Sequence, residues 1–271
     1  MQKRIKEMKN ALNKPKQIEE ILQEQIDTAL REHSRSNIDL LLSAISAGLE
    51  IGFSVFLMAT VYSLFHGVLH PSVLHVLISL AYPLGFIFVI IGKSELFTEH
   101  TTMAVLPVLN RNASIKSLLV LWIIIYFGNL TGGYVISSIL AFLPAKLDVI
   151  QNEAYYQIAK KVIAHEWYII MGSAILAGWL MGLLSWLVTS SQETISRLII
   201  ITLITSVIGI GGLHHCIVGS IEVFTAMLSS KLITLKDYLN VQLWSTIGNL
   251  FGGVVFVALL KFSHVNPRNK K

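Results

Sequence analysis

Long apolar stretches separated by short polar segments dominate the chain between residues 38 and 262. A helix needs about 20 mostly apolar residues to cross a lipid bilayer. The stretches that reach this length without interruption are Ile38–Phe65, Ser117–Leu143, Trp167–Val188 and Tyr238–Phe262. The pattern therefore predicts four simple membrane-spanning helices.

Two further apolar stretches are interrupted part of the way along. Val73–Ile91 meets a polar segment at residues 92–95 and continues as a shorter piece over Phe97–Leu109. Ile199–Ile210 meets residues 211–215 and continues over Ile217–Leu228. Irregular backbone persists at membrane depth only where protein or a water-filled cavity surrounds it. We therefore predict six crossings, of which the second and the fifth are broken.

Composition and charge support an all-α membrane protein. The 271 residues are 54% hydrophobic and 14% charged, whereas soluble domains carry about 25% charged residues, which argues against a water-soluble enzyme. Most of the 21 basic residues lie in the two termini and in the loops that a six-helix topology places on the same side. The positive-inside rule then predicts a multi-pass protein of the cell membrane (inner or plasma membrane) with both termini in the cytoplasm. The net charge of +5 thus marks topology and indicates no nucleic-acid partner.

The chain divides into three parts by this pattern. Residues 1–36 form a cytoplasmic segment whose apolar residues recur at helical spacing from Ile18 to Leu30. Residues 37–263 form the transmembrane domain, and residues 264–271 form a cytoplasmic tail. The single cysteine, Cys216, excludes an intrachain disulfide, and no metal-ligand spacing is present.

An internal repeat relates the two halves of the transmembrane domain. Three short motifs recur in the same order on corresponding crossings: residues 44–48 match 174–178, residues 95–98 match 222–225, and residues 128–133 match 248–253. Because each copy holds three crossings, the second copy inserts upside down relative to the first. Inverted repeats of this kind place a transport path at the repeat interface, near paired broken helices.

Polar residues beside the breaks have two open interpretations. Asn129 and Asn249 lie inside Gly-x-x-x-Gly motifs, and each amide is expected either to bond backbone freed by a break or to line the path. Glu95 and Glu222 occupy matching places in the repeat. They are expected either to accept hydrogen bonds from half-helix N–H groups or to handle substrate and protons.

These motifs together resemble the formate/nitrite transporter family over approximately residues 38–262. The resemblance rests on residues 94–98 in the broken second crossing, residues 128–130, His215 at the fifth break, and residues 248–250. It implies a homopentamer of aquaporin-like protomers, each with its own pore. It also implies small monovalent anions as substrates, often moved with a proton, and neither cofactor nor metal.

Family roles transfer position by position onto this sequence. Leu96, Phe97 and Thr98 look like the loop that narrows the pore, and His215 looks like the central histidine, with His214 beside it. The positions similar to the family's apolar constrictions and to its basic residue before the fourth crossing are Tyr82, Phe86, Ile208, and Lys160 or Lys161.

The sequence also departs from the family pattern. Gly219 stands where members often have an asparagine, and Glu99-His100 is more charged than expected. Aligning backward from residue 222 would place Val218 at the histidine position. These departures indicate a divergent subfamily.

The expected chemistry is passage of a weak-acid anion. A bare carboxylate is costly to bury in a low-dielectric medium, and protonation lowers that cost. Histidine titrates near neutral pH, so His215 is expected to donate or electrostatically favour a proton on the substrate, unless it is a buried structural histidine. Lys160 or Lys161 would concentrate anions at the outer mouth.

Two other classes remain as alternatives. A channel or carrier for a different small solute shares the six crossings, but the Asn-Pro-Ala signature of aquaporins is absent. A membrane-embedded metal-dependent enzyme would need clustered histidine ligands, and the nine histidines do not show the required i,i+3 or i,i+4 grouping. We therefore expect a transport protein in the lipid bilayer, not an enzyme, whose partners are small monovalent anions and protons.

Overall fold

The structure, a computed structural model, describes residues 15–265, apart from the side chains of Ala145 and Asn152. The first part of the N-terminal segment and residues 266–271 of the predicted tail lie outside the described residues. In chain order the helices are α1 (Ile18–Ser34), α2 (Asn37–Phe65), α3 (Pro71–Ala81), α4 (Pro83–Gly92), α5 (Phe97–Met103), α6 (Leu106–Leu109), α7 (Ile115–Lys146), α8 (Asn152–Ile163), α9 (Trp167–Ser190), α10 (Thr194–Ile210), α11 (Cys216–Ser229), α12 (Leu235–Gly253) and α13 (Leu260–Val265), with a π-helical turn over Val254–Leu259.

The long apolar helices agree with the predicted crossings. The segments long and apolar enough to span a membrane are Asn37–Phe65, Pro71–Gly92, Ile115–Pro144, Trp167–Ser190 and Leu235–Val265. The shorter apolar helices α10 and α11 follow one another around the second break.

Both predicted breaks are present. The first begins after α4, where Lys93 adopts a left-handed backbone conformation with φ of 61°, and helix resumes at Phe97. The second separates Ile210 from Cys216. The interrupted hydropathy of the sequence thus corresponds to interrupted helix in the structure.

Glycines bring the crossings of each half into close contact. Helix α2 packs along α7, and α9 packs along α12. A methyl group at Gly48 would overlap the backbone carbonyl oxygen of Asn129, and one at Gly178 would overlap that of Asn249. The two halves therefore use glycine at equivalent positions for the same backbone approach.

The amide of Asn129 holds the first break in place. Its Oδ1 accepts a hydrogen bond from the N–H of Phe97 at 2.8 Å. Its Nδ2 donates to the carbonyl oxygens of Ala44 and Glu95, both at 2.8 Å. Asn129 is fully buried, so its hydrogen bonds satisfy backbone groups that the interrupted helix leaves free.

Asn249 makes the same three bonds at the second break. It accepts from the N–H of Cys216 at 2.8 Å and donates to the carbonyl oxygens of Ala174 at 2.8 Å and His214 at 2.9 Å. The matched bonds support the predicted internal repeat. They also favour the backbone-bonding role among the two expected for these asparagines.

The same bonds correct one prediction about the repeat. They make Phe97 the repeat equivalent of Cys216, and Glu95 the repeat equivalent of His214. Glu222 lies eight residues after His214, inside α11, so its predicted equivalence with Glu95 is wrong. The N–H group that each asparagine binds shows which positions of the two halves are equivalent. The similar sequences of residues 95–98 and 222–225 do not occupy equivalent positions.

The N-terminal helix packs on the transmembrane domain on the side of the termini. Leu22, Ile26 and Ala29 of α1, which recur at helical spacing, are buried. Gln25 Nε2 donates to Ser185 Oγ of α9 at 3.3 Å. This helix therefore forms part of the wall around the terminal side of the bundle.

Candidate functional site

Two cavities lie on opposite sides of the two breaks. The terminal-side cavity, of about 400 Å³, has Arg31 and Glu32 of α1, Lys93, Glu99 and Arg197 in its lining. The distal cavity, of about 220 Å³, is lined in part by Tyr82, Lys161, Ile208, His215 and Glu222. Each cavity therefore contains basic residues, and the predicted site residues divide between them.

Buried side chains separate the two cavities. Tyr82 lines the distal cavity and Ile90 lines the terminal-side cavity, about 12 Å apart along the helix axis. Phe86 lies between them on the same helix, fully buried, with its ring 5.4 Å from that of Tyr82. Leu96 and Thr98 are also fully buried. Phe86, Leu96 and Thr98, together with His215, are called the barrier below.

His215 contacts two other barrier residues, Thr98 and Phe86, through its ring. Its Nε2 lies 2.8 Å from Thr98 Oγ1, and its Nδ1 accepts the N–H of Val218 at 3.3 Å as the N-cap of α11. Its ring meets Phe86 edge-on at 5.2 Å between centroids. Because Nδ1 acts as an acceptor, the hydrogen of the neutral ring is assigned to Nε2, which donates to Thr98.

His214 has a different set of partners. Ser173 Oγ accepts the backbone N–H of His214 at 2.9 Å and lies 2.6 Å from its Nδ1. Its Nε2 lies 2.9 Å from the carbonyl oxygen of Val162. Both ring nitrogens are thus hydrogen-bonded, Nε2 to α8 and Nδ1 to α9. Of the two neighbours, His215 reaches the barrier, and His214 attaches the second break to the surrounding helices.

The remaining predicted residues separate into those at the path and those beside it. Ile208 is fully buried and lines the distal cavity, as does Lys161. Lys160 places its ammonium 5.9 Å from a tyrosine ring of its own helix. The ring of Phe97 packs against Tyr126 of α7 at 5.0 Å, while its backbone N–H holds the break.

A charged cluster at the first break was not predicted from the sequence. The carboxylate of Glu95 binds Arg35 Nη1 at 2.7 Å and also binds His100 Nε2. Arg35 in turn binds Glu32 at 2.8 Å. Burial, together with the nearby charge of Glu95, raises the pKa of Glu32 above its usual value of 4.5. The cluster joins α1 to the break, although Arg35 and Glu95 are 60 residues apart and no motif connects them.

This cluster also corrects the capping role expected of Glu95. Its carboxylate serves an ion pair rather than half-helix N–H groups, and its own backbone N–H donates to Ser43 Oγ at 3.2 Å. Within residues 15–265, no group of three or more histidine, cysteine, aspartate or glutamate side chains is placed to hold a metal ion.

Comparison with known proteins identifies relatives over most of the chain. The family model described as "Formate/nitrite transporter" matches residues 19–263. The inner membrane protein YfdC of Escherichia coli (strain K12) is 29% identical over 241 residues, which cover 88% of this chain and 75% of that protein. The nitrite transporter NirC of Salmonella typhimurium is 25% identical over 236 residues, covering 85% and 84%.

Solved structures share the fold. An "FNT family ion channel" superposes with a TM-score of 0.77 at 22% identity, covering 90% of this chain and 98% of that one. A "pentameric formate channel with formate bound" gives a TM-score of 0.73 at 24% identity, covering 83% and 96%. The family model extends from the first turn of α1 into α13. The chain therefore belongs to the formate/nitrite transporter family, whose members are channels and transporters rather than enzymes.

Proposed function

We propose that the protein moves small monovalent anions of weak acids, such as formate or nitrite, across the cell membrane. The observation that carries the proposal is the pair of cavities, one lined by Tyr82 and the other by Ile90, with the buried Phe86 between these two residues on the same helix. The printed names of the relatives, a nitrite transporter and a formate channel among them, support the class of substrate.

The basic residues of the cavities suit an anion. Lys161 lies in the distal cavity, and Arg31, Lys93 and Arg197 lie in the terminal-side cavity, whose lining also includes four glutamates, among them the ion-paired Glu95. Positive charge in a recessed site raises the local concentration of anions. With both termini in the cytoplasm, as the distribution of basic residues favours, the distal cavity opens to the outside.

The proposed passage is linked to protons at the barrier. An anion that enters the buried space loses its hydration, so it crosses more readily as the neutral acid. His215 holds that acid by donating its Nε2 hydrogen to an unprotonated oxygen of the substrate, in exchange for Thr98. A second ring proton would sit on Nδ1, facing the N–H of Val218 at a helix N-terminus, where positive charge is disfavoured. We therefore assign His215 the role of donating a hydrogen bond, rather than that of giving up a proton.

A homopentamer with one path per protomer is part of the proposal. One of the related solved structures is a pentamer. Large apolar side chains such as Phe127, Trp167 and Phe251 are exposed on α7, α9 and α12, where lipid or a neighbouring protomer would cover them. Native mass spectrometry of the detergent-purified protein would test the stoichiometry.

Uptake by proteoliposomes tests the substrate class. We expect formate, nitrite and acetate to pass faster than sulfate or glycerol, and faster at mildly acidic than at neutral pH, after subtraction of protein-free liposomes. Glycerol flux equal to formate flux would contradict the anion proposal and favour a channel for another small solute. Replacement of His215 by alanine should lower the flux, because the barrier loses a hydrogen-bond donor, and should leave the pH profile like that of the wild type. An unchanged flux would show that His215 has no part in transport.

A further inference from the structure

A buried carboxyl group lies in the distal cavity near the barrier. Glu222 follows His215 by seven residues, and both line the distal cavity together with Gly219. Residues at these spacings share one face of a helix, and seven residues span about 10 Å along its axis. Gly219 has no side chain, so the space between the carboxyl and the imidazole stays open toward the cavity.

This carboxyl has no partner among the described residues. Glu222 is 7% exposed, and it makes neither a hydrogen bond nor an ion pair within residues 15–265. Glu95, by contrast, is held by both Arg35 and His100. A buried carboxylate without a partner is costly, so the neutral acid is the favoured form in the resting cavity. Glu222 therefore brings an exchangeable proton to the cavity.

The groups around Glu222 come from several elements. His214 and His215 line the cavity from the second break. From α2 the lining residue is Met58, which carries no charge. Phenol groups next to the same helix come from Tyr134 of α7 and Tyr238 of α12. The other titratable groups that line the cavity are His75, Tyr82, Lys161 and His165.

The repeat shows that the fold does not need an acid at this position. By the equivalence that the two asparagines define, Met103 of α5 occupies the position in the first half that Glu222 of α11 occupies in the second. Met103 lines the terminal-side cavity, as Glu222 lines the distal one. An apolar side chain thus meets the packing requirement in one half, and the acid in the other half adds a chemical property.

We propose that Glu222 gives its proton to the substrate in the distal cavity, an inference that rests on the proposed transport of weak-acid anions. The O–H bond of the Glu222 carboxyl breaks and an O–H bond forms on the anion, which leaves a glutamate carboxylate and a neutral acid. The neutral acid crosses the barrier past His215 and releases its proton to water in the terminal-side cavity. Water from the distal side then returns a proton to Glu222.

Formate transport by the full-length protein in proteoliposomes tests this role, with a pH-sensitive dye inside the vesicles to follow proton entry. The variant Glu222→Gln keeps the size of the side chain but cannot exchange a proton. We expect its formate-driven proton entry at acidic external pH to fall about tenfold or more, since a positioned acid speeds proton transfer by roughly 100-fold or more. We also expect the pH dependence to flatten. Glu222→Asp should restore a pH-dependent flux.

A matched control makes the same glutamate-to-glutamine replacement outside the cavity. Glu166 is exposed just before α9, and Glu166→Gln should transport like the wild type. Wild-type flux and pH profile in Glu222→Gln would overturn the role of Glu222 and leave the proposed function standing, whereas absence of anion flux in the wild type would overturn both. A lower flux with an unchanged pH profile would also overturn it, because it would mark a packing role. If the glutamine variant does not assemble, an aspartate variant whose pH profile is flat would contradict the proposal equally.

Discussion

Replacement of Asn129 by leucine should destabilise the fold by an amount that can be derived from its three hydrogen bonds. The carbonyl of Ala44 lies inside α2 and keeps its intrahelical partner, but the N–H of Phe97 and the carbonyl of Glu95 would lose theirs. Each buried backbone group left unsatisfied costs about 1–3 kcal/mol. Two such groups predict a loss of about 2–6 kcal/mol in the free energy of unfolding.

Denaturant unfolding of the detergent-purified protein measures this loss. Asn249→Leu should cost about the same, because Asn249 makes the corresponding bonds at the second break. Asn112→Leu is the control, since Asn112 is exposed in the loop before α7 and surface substitutions usually stay within about 0.5 kcal/mol. If Asn129→Leu also stays within about 0.5 kcal/mol of the wild type, the asparagines do not hold the breaks and the reasoning fails.

Two further predictions concern packing and charge. Gly48→Ala should destabilise the protein by about 1–3 kcal/mol, the usual range for overpacking, because the added methyl overlaps a backbone carbonyl. Gly172→Ala, with open space around its position, should not; equal unfolding free energies for the two variants would contradict the close approach. Burial and the charge of Glu95 raise the pKa of Glu32, so the folded protein binds that proton more tightly than the unfolded chain, and stability falls as pH rises from 4.5 through the raised pKa. Glu32→Gln should reduce this fall, as thermal midpoints at acidic and neutral pH would show, and an unchanged fall would refute the assignment.

The breaks could be predicted from the sequence because local hydropathy encodes them. An apolar stretch too short to cross the bilayer, followed by glycine and polar residues, indicates a helix that is interrupted at membrane depth. Similar reasoning gave backbone bonding as one of the two roles expected of Asn129 and Asn249, since a buried amide needs partners and a broken helix offers free backbone. In each of these cases one physical requirement was visible within a few residues of sequence.

Relations that depend on tertiary register were not visible in this way. The match between residues 95–98 and 222–225 suggested an equivalence between Glu95 and Glu222 that the asparagine hydrogen bonds contradict. The contact between Arg35 and Glu95 joins the N-terminal segment to the first break. Hydrophobic periodicity places α1 on the bundle but does not define which of its charges faces which break.

The corrected register separates residues that serve the scaffold from residues that serve the chemistry. Where both halves need the same backbone approach, the equivalent positions are identical, as Asn129 and Asn249 are. Where the halves face different cavities, the positions differ, and Leu96 in one half corresponds to His215 in the other. Because a shared scaffold role would be met by the same residue in both halves, we expect, under the proposed function, His215 and Glu222 to be places where the halves differ for the sake of transport. The proposed role of Glu222 predicts proton uptake from the distal side, so reversing the pH gradient across a proteoliposome containing oriented protein should change the rate of transport.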